Sequence, residues 1–171
     1  VPRSINDPIT SNEVNVTGTL NILEAARKNN VQKIVFASSS SVYGDNPKLP
    51  KDESMIPNPL SPYAVSKLSG EKYCSVFTRI YGLKTIALRY FNVFGPRQDP
   101  NSQYSAVIPK FIKAIMAGES PVIFGDGEQS RDFTFVRNVI EGNILAATTD
   151  CESGIAMNCA CHGRITLNEL V

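Results

Sequence analysis

Tyr63 and Lys67 stand four positions apart in the segment SPYAVSKLSGEKY, one turn apart if that segment is a helix. An ammonium beside a phenol stabilises the phenolate, and a phenolate can take a proton from an alcohol. A third group would complete the set, a hydroxyl that shares the proton with phenol and substrate. The run Ser38, Ser39, Ser40, Ser41 offers four candidates directly after the apolar stretch KIVFA. Base, electrostatic helper and hydrogen-bond partner together suit pulling a proton off an alcohol while hydride leaves its carbon. Tyr-x-x-x-Lys alone recurs on many wet helical faces, so the weight rests on its combination with the serines.

The elements that must hold these groups alternate between strand and helix. EVNVTGTLNILEAARKNN sets Val16, Leu20, Leu23 and Ala26 on one helical stripe. KIVFAS is a short continuous apolar run, the pattern of a buried parallel strand. The prolines of GDNPKLPKDESMIPNPLSP exclude regular structure. A helix over about 62–81 follows, with Ser61 as its cap, Pro62 in its first turn and Gly82 closing it. Beyond it, KTIALRY predicts a strand, VIPKFIKAIMAG a helix, PVIF a short strand and GDGEQS a turn. FTFV then reads as a strand, NVIEGNILAATT as a helix and IAMNCA as the last strand. This alternation implies an α/β class with a Rossmann-like, doubly wound, largely parallel sheet. In such sheets chemistry collects beyond the carboxyl ends of the strands, where the serine run begins.

Two more residues sit beyond predicted strand ends or turns. Asn92 offers both a donor and an acceptor. The Arg131 guanidinium could hold a diphosphate with two parallel hydrogen bonds, or simply pair with Asp132 or Glu128 on the surface. GDGEQS lacks the following helix and Lys-Ser/Thr of a phosphate loop, so it reads as a turn.

Composition narrows the class. The 171 residues are 42% hydrophobic and 19% charged with a net charge of +1, so no field of one sign points to nucleic acid or an anionic membrane. No apolar run reaches bilayer-spanning length. VPRSINDP is neither a signal nor a transit peptide, and a cytoplasmic protein is expected. The four cysteines are not spaced as a disulfide framework. Cys159, Cys161 and the single histidine, His162, fall short of a metal site; Met157, Cys159 and Cys161 are expected to alternate onto one apolar strand face. The chain begins without Met and stops at ITLNELV, where a helix is expected to start, so it reads as an internal stretch of a longer protein.

NVTGTLNILEAA, KIVFASSSSVYGD, SPYAVSKLSGE, LRYFNVFGPRQ and GDGEQSRDFTFV together resemble the extended short-chain dehydrogenase/reductases, the NAD-dependent epimerases and dehydratases of nucleotide sugars. The resemblance runs nearly end to end. It implies Ser39, Tyr63 and Lys67 as the catalytic residues, with Tyr63 as acid/base on the sugar 4-hydroxyl and Lys67 also on the nicotinamide ribose. By the same resemblance Ser38, Tyr90 and Phe91 join Tyr63 and Lys67 on an NAD cofactor. Ser39, Ser40, Ser41, Asn92, Ala106, Val107, Val122, Phe124 and Arg131 fall to a UDP-sugar substrate, Asn92 on its diphosphate. Residues 1–100 would be the second half of the NAD-binding domain, and 101–171 part of the substrate region interleaved with a returning strand and helix.

Dehydratases of this type typically place Asp-Glu after the catalytic hydroxyl residue, and this chain has Ser40 and Ser41 there. The resemblance therefore implies epimerisation at C4 through a transient 4-keto sugar, most like enzymes of UDP-N-acetylhexosamines or UDP-glucose, homodimeric at full length. Another nucleotide-sugar enzyme (decarboxylase, dehydratase or reductase) or a non-catalytic binding protein of the same fold are the alternatives. The family's glycine-rich G-x-x-G-x-x-G loop is not among the 171 residues. Where the family usually has Asp-Asp, this chain reads Arg137-Asn138, with Asn138 expected to cap the following helix.

Overall fold

The computed structural model describes residues 1–99 and 107–171, so the expected substrate residue Ala106 lies outside the described residues. In chain order the elements are α1 (Pro2–Asn6), α2 (Pro8–Asn12), a π-helical turn (Glu13–Thr17), α3 (Gly18–Lys28), β1 (Lys33–Ser39), a 3-10 turn (Ser40–Tyr43), α4 (Pro62–Tyr81) and β2 (Lys84–Tyr90). There follow β3 (Val93–Phe94), α5 (Val107–Met116), β4 (Ser130–Arg131), β5 (Thr134–Phe135), α6 (Val136–Thr148), β6 (Ile155–Cys159), β7 (Ile165–Thr166) and α7 (Leu167–Leu170). Contacts divide the chain into two compact units. One comprises Val1–Tyr90 with Glu141–Cys159, the other Phe91–Ile140 with Ala160–Val171.

The first unit is a three-stranded sheet in the order β1-β2-β6, parallel throughout. Side chains alternate across β1 as a pleated strand requires. Ile34 and Phe36 join Leu23, Ala26, Cys74 and Phe77 of α3 and α4. Val35 joins Ile86, Leu88 and Ala146 of α6 on the other side. Helices cover both faces, which is the α/β, Rossmann-like arrangement the apolar runs imply. β2 is buried from Thr85 to Arg89, and a charge within so buried a strand demands a partner.

Helix α4 begins and ends as its sequence dictates. The Ser61 hydroxyl accepts the Ala64 amide at 3.2 Å, Pro62 fills the first turn, and Gly82 closes the helix at φ 73°. Gly70 is required by packing. A Cβ there would meet the Phe36 ring at 2.3 Å, so only glycine lets α4 lie this close to β1.

Unit two is built from short ladders. β3 pairs in parallel with β5, and β4 antiparallel with β7. Here the sequence reading needs correction. PVIF, residues 121–124, is not a strand; Val122 and Phe124 are 69% and 83% exposed, and among the described residues no strand pairs with that stretch. Asn138 does not cap α6, because the helix already begins at Val136; its amide donates to Cys161 Sγ at 3.1 Å instead. Nor do Met157, Cys159 and Cys161 share a buried face. Cys159 packs against the core, Met157 is exposed, and Cys161 lies beyond the end of β6. Among the described residues no helix is long and apolar enough to cross a membrane.

Candidate active site

In the first unit, the first turns of α4 set Lys67 beside Tyr63 and carry the lysine ammonium to the carboxyl end of β1. Lys67 Nζ lies 5.6 Å from the centroid of the Tyr63 ring and 5.3 Å from that of Phe36. It donates to the Ala37 carbonyl at 2.9 Å. Burial holds its pKa below the ordinary lysine value of 10.5. The ammonium is therefore fixed beside the phenol by a strand and a helix, not left free on a wet face.

Ser39 ends β1 and caps the 3-10 turn, with its hydroxyl oxygen accepting the Ser41 amide at 3.2 Å and the Ser41 hydroxyl at 2.9 Å. With both lone pairs taken, the Ser39 proton is the part left to donate outward. Ser40 and Ser41 are half-buried at the start of that turn. Ser38 behaves differently. Its side chain is buried and donates its proton to Glu71 Oε1 at 2.5 Å. Tyr90 is half-buried at the end of β2 and its hydroxyl donates to Asn143 at 2.9 Å; burial raises its pKa.

The first turn of α4 has supports that sequence reasoning missed. The Ser4 hydroxyl accepts the Tyr63 amide at 3.0 Å. Ser66 donates to the Tyr63 carbonyl at 2.8 Å and accepts from the Asn15 side chain at 3.0 Å. Asn15 belongs to the π-helical turn, a local widening often found at functional sites. NVTGT was legible as a familiar segment, but its period gave no sign of the extra residue per turn.

Further supports lie deeper, around Glu71 and Arg89. Arg89 donates to both Glu71 oxygens, at 2.9 and 2.8 Å, and to the Tyr43 hydroxyl at 2.8 Å. Tyr43 in turn donates to Asn158 at 2.7 Å. Burial alone would pull the arginine's pKa down, but its bonds to Glu71 and Tyr43 hold it above its ordinary value. The signal in the sequence was the arginine itself, a charge inside the apolar run KTIALRY.

The second unit gathers a different group. Asn92, Val107, Gln129, Arg131, Phe133 and Leu167 line a pocket of about 240 Å³. Asn92 adopts φ 32°, a left-handed conformation that asparagine tolerates, and its side-chain amide donates to the Asp132 carbonyl at 2.9 Å. Arg131 is exposed and donates only to the neighbouring Ser130 carbonyl, at 2.8 Å; among the described residues no ion pair engages it. Neither Glu128 nor Asp132 forms an ion pair with it, so the charge of this pocket-lining residue is not neutralised by a carboxylate among the described residues. Val122 and Phe124 do not line this pocket, although Gln129, which does, donates to the Phe124 carbonyl at 2.8 Å. Phe91 is half-buried.

The model of the NAD dependent epimerase/dehydratase family matches residues 1–160. The chain belongs to that family. It is 48% identical over 147 residues to a putative UDP-glucose 4-epimerase of Methanocaldococcus jannaschii, covering 85% of this chain and 48% of that protein. Its structure matches the UDP-N-acetylglucosamine 4-epimerase of Methanobrevibacter ruminantium, solved with UDP-N-acetylmuramic acid, at a TM-score of 0.95 and 51% identity. That match covers 99% of this chain and 54% of the other. It also matches the UDP-glucose 4-epimerase of Thermus thermophilus, solved with NAD, at a TM-score of 0.85 and 39% identity over 98% and 55% of the two chains. The chain thus spans about half the length of the family members it matches.

Proposed function

We propose that the full-length protein is an NAD-dependent UDP-sugar 4-epimerase, and that this stretch contains its acid–base residues. The observation that supports it most is the chemistry at the end of β1. A hydroxyl with its lone pairs occupied, Ser39, is followed by Ser40 and Ser41, neither of which can act as the acid and base that eliminating water from C5 and C6 would need.

Tyr63 removes the proton from the sugar 4-hydroxyl and later returns one to the 4-oxygen. Ser39 donates its hydrogen bond to the same oxygen and helps hold it in place. Lys67, pinned on Ala37, stabilises the phenolate and is suited by its donors to the ribose hydroxyls of NAD. The residues present fit the nicotinamide end of that cofactor: a half-buried tyrosine at the end of β2 and a fixed ammonium at the end of β1. When bound, NAD accepts the hydride from C4 and gives it back. Tyr63, Lys67, Tyr90 and Phe91 would hold it, with Ser38 contributing through its main chain.

Asn92 and Arg131 are assigned the diphosphate, supported by an unpaired guanidinium lining a pocket. Val107, Ala106, Val122 and Phe124 are assigned the nucleotide, and exposed apolar side chains such as Phe124 suit stacking on a base. An N-acetylhexosamine is the proposed sugar and a homodimer the proposed assembly. The test is to incubate the full-length protein with NAD and UDP-N-acetylglucosamine or UDP-glucose and follow the sugar by NMR. Appearance of the C4 epimer is expected; a product that has lost water across C5 and C6 would overturn the reading.

A further inference from the structure

Tyr63, Lys67 and Glu71 lie one turn apart in succession along α4, and the last two bind successive residues of β1. Lys67 holds the Ala37 carbonyl at 2.9 Å, and Glu71 accepts the Ser38 hydroxyl at 2.5 Å. The next residue of the strand is Ser39. Glu71 is itself fixed from β2 by two hydrogen bonds from Arg89, with both side chains only 5–6% exposed. Arg89 continues through the Tyr43 hydroxyl and Asn158 of β6 to the connecting loop, where Asn158 donates to the Lys51 carbonyl at 3.0 Å and its amide to Glu53 at 2.7 Å. A buried pair of this kind is a weak source of stability compared with apolar packing, so a contribution to conformational specificity is the reason to test for retaining it.

We propose that Ser38, Glu71 and Arg89 are positioning residues for the 4-epimerase reaction: together they clamp the carboxyl end of β1 to α4 so that the Ser39 hydroxyl stays in register with Tyr63 and Lys67. Their side-chain bonds run to one another and into the core, so the clamp acts on turnover and not on affinity for the sugar nucleotide. This inference rests on the acid–base reading given under Proposed function.

The experiment compares Glu71→Gln, Ser38→Ala and Tyr63→Phe in the full-length enzyme, measuring kcat and KM per folded molecule, with the folded fraction taken from circular dichroism. Glutamine keeps the shape of Glu71 but turns an amide donor toward Arg89, so the clamp loosens. A misplacement of about 1 Å can cost on the order of a hundredfold in rate, and a kcat loss of that order with an unchanged KM is expected for Glu71→Gln. Ser38→Ala cuts only the link from Glu71 to β1 and leaves the ion pair intact. It should lower kcat by about tenfold, again without moving KM. If Glu71→Gln does not fold, Ser38→Ala decides the matter. A lower Tm with normal kcat per folded molecule in both variants would overturn the inference and leave the clamp a part of the fold only. Loss of turnover in Tyr63→Phe alongside normal Ser38 and Glu71 variants removes this inference alone, whereas an active Tyr63→Phe removes the acid–base reading beneath it.

Discussion

The two units hold their polar residues in opposite ways. In the first, the groups around the end of β1 are tied to one another: Lys67 to Ala37, Ser41 to Ser39, Glu71 to both Ser38 and Arg89. In the second, Arg131 is exposed with no ion pair among the described residues, and Val122 and Phe124 lie open. The difference suits the task proposed for each unit. Proton transfer needs groups held in place before the substrate arrives, because each ångström of error is costly in rate. Holding an anion needs donors not already satisfied by the protein, so that the ligand supplies the missing partner.

That contrast can be broken by changing one unit at a time. The largest expected effect is on turnover. Lys67→Met in the full-length enzyme should slow kcat by about 10²–10⁴-fold, the range typical of groups in acid–base catalysis, and should also weaken NAD binding measured by calorimetry. A next, smaller effect should appear in KM. Arg131→Ala removes hydrogen bonds to a charged group, worth about 1.5–3 kcal/mol, so KM for the UDP-sugar should rise about ten- to a hundredfold with kcat little changed. A fall in kcat at constant KM would put Arg131 on the wrong side of the comparison.

The framework itself should prove intolerant. Gly70→Ala drives a methyl into the Phe36 ring, and overpacking of this kind typically destabilises by about 1–3 kcal/mol, readable as a lower midpoint in urea. A neutral result would mean that β1 and α4 can separate without consequence.

The smallest effect is a shift in pH dependence. Burial lowers the pKa of Lys67, so the alkaline fall in kcat should begin below 10.5, where an ordinary lysine would lose its proton. Lys67→Arg, which stays charged, should move that limb upward even as overall activity drops. The stability term has a definite sign as well. Between the lowered folded value and the unfolded one, the unfolded chain binds more protons, so this group's contribution to stability rises with pH across that window.

Much of the first unit was legible in the sequence because local signals agreed with tertiary need. Helix α4 has its cap, its Pro and its closing Gly where the sequence places them. KIVFAS and KTIALRY both form parallel strands, though only β2 is buried along most of its length and β1 is half-buried. PVIF failed because an apolar run has strand potential only if another strand lies alongside. Asn138 failed for a local reason: FTFV ends one residue sooner as a strand than its apolar run suggests, and α6 starts within it, at Val136. In the site, residue type and spacing pointed to Tyr63 and Lys67 with a hydroxyl from the serine run, and the family resemblance singled out Ser39. Glu71 and Arg89 were not singled out, since their pairing across 18 positions is a property of packing, yet each was visible as a charge where the pattern called for burial. Ser38 and Ser39 look interchangeable as letters. Strand alternation turns one inward to Glu71 and leaves the other at the cap of the 3-10 turn.

The central claim is that Tyr63 is the acid–base residue of a C4 epimerisation, and steady-state kinetics of Tyr63→Phe in the full-length enzyme test it most directly. Phenylalanine keeps the ring and its packing and removes only the ionisable oxygen. The account predicts kcat lower by about 10²–10⁴-fold, with circular dichroism and NAD binding close to those of the unaltered enzyme. A Tyr63→Phe enzyme that interconverts the C4 epimers at near-normal kcat would contradict it.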